Sequence, residues 1–78
     1  MTHELKTWSS YYLDVVNRIK RFEIRKNDRN FQVGDFLILQ EYNPYTESYT
    51  GSEVSAQITY MTGFAQQEGY VVLGIELI

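Results

Sequence analysis

Lys20, Glu23 and Arg25 bring two cations and a carboxylate into six residues of chain. The combination suits a phosphate with a base edge beside it. Arginine holds a phosphate through two parallel hydrogen bonds, lysine adds a compact positive charge, and a carboxylate accepts from an exocyclic amine such as that of cytosine. Read on spacing alone, the same residues make a surface salt bridge worth about 0 to 1 kcal/mol. Around them, six of the seven basic residues (Arg18, Lys20, Arg21, Arg25, Lys26 and Arg29) fall between positions 18 and 29, opposed only by Glu23 and Asp28. The formal charge of −3 therefore averages a positive segment with an acidic remainder. Because the Debye length is about 8 Å in physiological salt, a ligand touching the segment feels its local field more than the distant acids. Lys26, Arg29, Arg18 and Arg21 are candidates for phosphate contacts that position a strand without reading it, and a solvated basic loop is the alternative. Tyr42, Tyr45 and Tyr49, around a hairpin, could stack unpaired bases for about 1 to 3 kcal/mol each; amphipathic packing is the commoner use of such tyrosines.

Other chemistries are poorly provided for. The absence of cysteine excludes disulfides, thiolate zinc sites, iron–sulfur clusters and a cysteine nucleophile. His3 is the only histidine, so neither a metal site nor a cofactor is expected, and His3 reads as structural or as a rim residue. No glycine-rich phosphate loop or nucleophile elbow occurs. The apolar tracts, such as Val71-Val72-Leu73, are too short for a signal sequence or a membrane span, which makes the cytoplasm the expected location.

The elements that must position the cluster read as α+β within one domain, residues 1–78. His3 to Lys6 forms a short first strand, and Ser9 or Ser10 caps the helix that follows. Tyr12, Val15, Val16 and Ile19 make one apolar stripe on that helix, with Lys20 at its C-terminal end, where the dipole favours a cation. Phe22 to Arg25 alternates as a strand, with Phe22 and Ile24 expected inward and Glu23 and Arg25 outward. After a polar loop, Lys26 to Asn30, a turn at Val33-Gly34-Asp35 launches a central strand, Phe36 to Tyr42. Asn43 to Gly51 reads as a hairpin connection. Val54, Ala56, Ile58 and Tyr60 mark the inner face of the next strand, and Val71, Leu73, Ile75 and Leu77 that of the last. One helix cannot cover a doubly wound parallel sheet, so a small, mostly antiparallel barrel with the helix packed beside it is the expected solution.

Arg18-Ile19-Lys20-Arg21-Phe22-Glu23-Ile24-Arg25 resembles the G-x-K-x-x-E-x-R signature of the ASCH group within the PUA-like superfamily, with Arg18 in the place of the glycine. The string FEIRKNDRNFQVGD, the opening HELK and the late GYVVL resemble more narrowly a small bacterial and phage branch, the domain of unknown function DUF3850. These matches follow in order along almost the whole chain. The resemblance implies a PUA-like pseudobarrel with a cleft near the signature that receives RNA or a nucleotide, and it places His3 and Lys6 near that cleft.

Three functions follow as expectations. The first is an RNA or nucleotide binding module that holds a flipped-out or single-stranded segment against Lys20, Glu23 and Arg25. The second is a small hydrolase of modified nucleosides. Some ASCH-like proteins resemble amidohydrolases in which a lysine works with a hydroxyl residue, but Glu23 stands where those enzymes carry threonine. That replacement leaves only water activation by Glu23, with Lys20, and weighs against catalysis. The third is a protein-interaction accessory domain, phage or mobile-element in character, contacting its partner through the hairpin with Glu47, Glu53 and its tyrosines. If the first holds and two to four phosphates are engaged, affinity for a single strand falls with salt at a log–log slope of roughly −1.4 to −2.8. A flat salt titration would contradict it.

Overall fold

Side-chain alternation along the first strand sets the inner surface of the molecule. In the computed structural model, which describes residues 1–78, β1 runs from Thr2 to Trp8 and buries His3, Leu5 and Thr7 while Glu4, Lys6 and Trp8 face out. The α1 helix, Ser9–Val16, follows with no intervening loop. Trp8 occupies the N-cap position, and neither serine caps: Ser9 Oγ instead donates to the carbonyl of Tyr42 at 3.3 Å, tying the helix start to the sheet. Tyr12 and Val15 enter the core as expected, but Val16 lies exposed on the last residue of the helix and Ile19 lies exposed in the turn beyond it.

Its end is a Schellman turn. Ile19 N–H bonds to Asp14 O at 2.9 Å and Arg18 N–H to Val15 O at 3.0 Å, with Arg18 in the left-handed region at φ 61°. That is the position at which glycine carries no steric penalty. Lys20 therefore sits in the turn beyond the helix rather than on its last residues, and its N–H bonds to Asp14 O at 3.0 Å.

The remaining strands are β2, Phe22–Lys26; β3, Phe36–Asn43; β4, Ser48–Thr62; and β5, Tyr70–Leu77. They join β1 in one sheet of order β1-β3-β4-β5-β2. The β1–β3 pair is parallel and the other three are antiparallel. The hairpin connection is tighter than expected, with β4 already formed at Ser48. Leu37 and Leu39 of β3, Ala56 and Ile58 of β4 and Leu73 of β5 fill the interior against Leu5, Tyr12 and Val15. All lie on one face, so the sheet rolls around a single core and forms a small barrel-like α+β fold with α1 at its side. A bulge between Ile58 and Tyr60 bends β4 and leaves Tyr60 63% exposed, outside the inner face on which it was expected.

The expected facing of β2 is reversed. Glu23 is buried at 3% exposure, while Phe22 and Ile24 are 41% and 53% exposed. Glu23 lies opposite Leu73 and Arg25 opposite Val71, and directly opposed residues share a sheet face. Alternation gives the period of a strand but not which face is inner. Here the polar pair turns inward because each charge finds its partner there.

The two edge strands, β1 and β2, do not pair. Arginine side chains cross the gap: Arg25 Nη2 donates to Lys6 O at 3.0 Å and Arg29 Nη1 to Glu4 O at 2.8 Å. They satisfy carbonyls on the open edge of β1, which would otherwise be bare. Below this seam the loop from Asn27 to Asp35 inserts Phe31, 1% exposed, with its N–H held by Asn27 Oδ1 at 2.9 Å. His3 packs its ring edge-on to Phe31 at 4.8 Å, and its Nε2 donates to Asp35 Oδ2 at 2.9 Å. Gln32 N–H donates to the same oxygen at 3.1 Å. The hydrogen bond from His3 outweighs the opposing effect of burial and, with that from Gln32, holds the Asp35 carboxyl below its ordinary value of 3.8.

A lowered folded-state pKa means that the ionised form stabilises the fold. The contribution is complete above the unfolded value near 3.8 and is lost as pH falls through the lower folded value. Chemical denaturation of wild type and Asp35→Asn should show a stability deficit in the variant at neutral pH that narrows below pH 3.8. A deficit independent of pH would show that Asp35 acts through shape alone.

Candidate functional site

The seam between β1 and β2 opens, beside α1, into a cleft of about 620 Å³. The end of β1 lines one side with Lys6, Thr7 and Trp8, the edge of β2 lines the other with Phe22 to Arg25, and Tyr11 and Lys20 complete it. Because β2 is an edge strand with no neighbour toward β1, residues from both its faces reach the opening.

Glu23 is the centre of the polar floor. Its Oε2 accepts from Lys20 Nζ at 2.5 Å, and its Oε1 accepts from Arg25 Nη2 at 2.8 Å and Nε at 3.2 Å. Lys20 is held further by Phe22 O at 2.7 Å, with its ammonium 5.0 Å from the Phe22 ring centre and 5.5 Å from that of Tyr11. Arg25 Nη2 also meets Thr7 Oγ1 at 3.2 Å, and that hydroxyl donates to Leu5 O at 3.3 Å. No buried side-chain nitrogen or oxygen lacks a partner. The carboxylate is nearly enclosed, whereas the lysine and arginine side chains keep 17% and 24% of their surface. The cations therefore face the opening, with the anion behind them.

Hydrogen-bonding capacity remains on all three groups. Neither N–H of Arg25 Nη1 has a partner, Lys20 uses two of its three donors, and Glu23 Oε2 has accepted one hydrogen bond. The side walls are aromatic and apolar: Trp8 and Tyr11 are about half exposed, as are Phe22 and Ile24.

The structure thus gathers Lys20, Glu23, Arg25 and Lys6 at one cleft. It does not bring the other expected residues there. His3 is buried beside Asp35 and Phe31; Arg29 is committed to Glu4 O; Lys26 points outward; Arg21 lines a separate hollow behind Lys20. Tyr42 and Tyr49 pack edge to face at 5.2 Å, with Lys6 Nζ 4.3 Å from the Tyr42 ring centre, and Tyr45 projects from the hairpin at 95% exposure. None of the three tyrosines lines the cleft. Trp8, Tyr11, Phe22 and Thr7 do, and the sequence reading did not single them out. The usable signal was the alternation of β1, which leaves Trp8 solvent-facing at the strand end nearest the helix that carries Tyr11.

Residues 2–75 match the family described as Domain of unknown function (DUF3850). The chain belongs to this family. It is 42% identical over 72 residues to the "Uncharacterized 12.9 kDa protein in GpA 3'region" of Escherichia phage P2, an alignment covering 91% of the chain and 64% of the phage protein. This DUF3850 chain thus spans a little under two thirds of that relative's length. The matched region includes every residue of the cleft. No helix of the chain is long and apolar enough to cross a membrane.

Removing the Glu23 charge leaves two cations without their shared anion. Because both open to water in the cleft, Glu23→Gln should cost about 1 to 3 kcal/mol rather than the larger penalty of a sealed ion pair. Urea denaturation measures it; a change within about 0.5 kcal/mol would mean that the triad does not hold β2 in place.

Proposed function

We propose that this DUF3850 chain is an RNA or nucleotide binding module that takes one unpaired base into the cleft between β1 and β2. We also read its rolled sheet and flanking helix as the ASCH type of PUA-like barrel, on the signature running from Arg18 to Arg25. The observation that carries the functional reading is the convergence of Lys20, Glu23 and Arg25 on one hollow with aromatic walls. At about 620 Å³ it falls within the range of roughly 300 to 1,000 Å³ common for small-molecule sites.

Hydrogen-bond chemistry narrows the choice of base. The floor offers one acceptor, at Glu23 Oε2, flanked by donors on Lys20 and Arg25. A pyrimidine edge answers this set: cytosine gives its amine to Glu23 and leaves N3 and O2 for the donors on one side, and uracil gives its N3–H with a carbonyl for the donor on either side. Adenine supplies one acceptor beside its amine, and guanine supplies adjacent donors. Trp8, Tyr11 and Phe22 provide faces for stacking, worth about 1 to 3 kcal/mol for a well-placed ring.

A hydrolytic reading has less support. The cleft's one aliphatic hydroxyl, on Thr7, donates to a backbone carbonyl and is met by an arginine, with no hydrogen bond to a carboxylate that could take its proton. Both oxygens of Glu23 are already engaged by cations.

Trp8 is the only tryptophan and lies in the cleft, so its fluorescence is a built-in reporter. Titration with the four nucleosides and with short single-stranded RNAs should change that fluorescence most for the pyrimidines, cytidine and uridine, and for pyrimidine-containing strands. Glu23→Gln should weaken binding by roughly tenfold or more, the consequence of losing a hydrogen bond to a charged group. If no nucleoside or RNA alters Trp8 fluorescence or cleft amide shifts at millimolar concentration, the proposal fails.

A further inference from the structure

Lys20 is a wall with two sides. Behind it lies a second hollow of about 300 Å³, where Arg18, Arg21, Thr59 and Glu76 surround an apolar floor. Three cations, counting Lys20, meet one carboxylate there. Neither arginine is neutralised within the chain: the ion pairs join Lys20 and Arg25 to Glu23, and Asp35 to His3 and the Met1 amino group. Arg21 Nε donates to Arg18 O at 3.2 Å, which leaves both of its terminal nitrogens free, and the Arg18 guanidinium makes no hydrogen bond. Glu76 shares the hollow without pairing to either.

The backbone adds an independent observation. Arg18 holds φ 61° at the helix terminus, a conformation glycine takes freely and a branched-off side chain does not. No hydrogen bond or ion pair of its side chain offsets that strain. Backbone strain of this kind clusters at functional sites. Arg21, for its part, is fixed by the bond from Ile75 N–H to its carbonyl at 3.1 Å, so the two guanidinium groups are carried on anchored backbone. Thr59 brings a hydroxyl from the β4 bulge, bound at 3.4 Å to Gly74 O and able to turn toward a ligand.

We infer that this hollow is a phosphate subsite continuous with the base cleft through Lys20, and that the ligand is therefore a base whose sugar carries a phosphate. The inference rests on the base-binding reading for what lies in the first cleft, and on Arg18 and Arg21 alone for the second. Free nucleotides and nucleotides within an RNA strand share this chemistry. Paired guanidinium groups hold a phosphate through parallel hydrogen bonds.

The test uses the full chain, labelled with nitrogen-15, and four probes: inorganic phosphate, cytidine, cytidine 5′-monophosphate and a short cytosine-containing RNA lacking terminal phosphates. Inorganic phosphate should shift the Arg18 and Arg21 side-chain resonances and leave Trp8 unmoved. Cytidine 5′-monophosphate should bind about tenfold or more tightly than cytidine. Arg18→Gly and Arg21→Gln should each reduce that ratio. Arg18→Gly should melt at or above the wild-type temperature, because glycine relieves the turn, so its loss of binding is not a loss of fold.

Equal affinities for cytidine and its monophosphate, a ratio untouched by both substitutions, or phosphate that moves neither arginine would overturn the subsite. Cytidine failing to bind while phosphate still finds Arg18 and Arg21 would overturn the base reading and leave the subsite standing. An arginine-dependent gain for the RNA identifies a strand as the source of the phosphate; a gain confined to the monophosphate identifies a free nucleotide.

Discussion

A carboxylate cannot stand on the inner face of a strand unless cations come with it, and this requirement organises the front of the molecule. Glu23 is 3% exposed, and its two oxygens are divided between Lys20 and Arg25. Meeting Lys20 requires the chain to stop its helix early and turn, because a longer helix would carry the ammonium elsewhere. Meeting Arg25 requires β2 to face its polar residues inward. The same guanidinium then reaches Lys6 O on β1, so the group that neutralises Glu23 also spans the break in the sheet. Charge burial, strand facing and barrel closure are thus one problem with one solution.

A second polar node supports the far end of the seam. Asp35 gathers His3 and the backbone of Gln32, and Ile58 N–H bonds to its carbonyl at 2.9 Å. This fixes the loop that places Phe31 under the core and delivers Arg29 to Glu4 O. Arg29 and His3, both expected near a ligand, are therefore used to build the frame of the cleft. Basic residues close in sequence separate into a structural pair, Arg25 and Arg29, which bridges the edges, and an unpaired pair, Arg18 and Arg21, which does not.

Much of the fold was legible in the sequence because it follows from local periodicity. The inner residues of β5, the interior position of β3 beside the central β4, the turn at Gly34 and the burial of Tyr12 and Val15 follow the reading. The convergence of Lys20, Glu23 and Arg25 also emerged from their spacing, although by a different route from the one expected. What escaped was set by tertiary neighbours. The facing of β2 depends on β5, which lies some fifty residues further along the chain. Ser9 looked like a cap but found Tyr42 O nearer to hand. The tyrosines of the hairpin attracted attention by number, whereas Trp8, Tyr11 and Phe22 earned their place through a gap between edges that no local pattern describes. The family match covers all these residues.

The seam has a mechanical consequence. Along β3, β4 and β5 the strands are stitched by ladders of backbone bonds, but β1 meets β2 and the loop after it through two arginine side chains, Arg25 and Arg29. Compliance is therefore concentrated on one side of the molecule, like the mouth of a purse whose back is stiff. Arg25 holds Glu23 on β2 and Lys6 O on β1 with one guanidinium, so any force on that group is felt by both lips together.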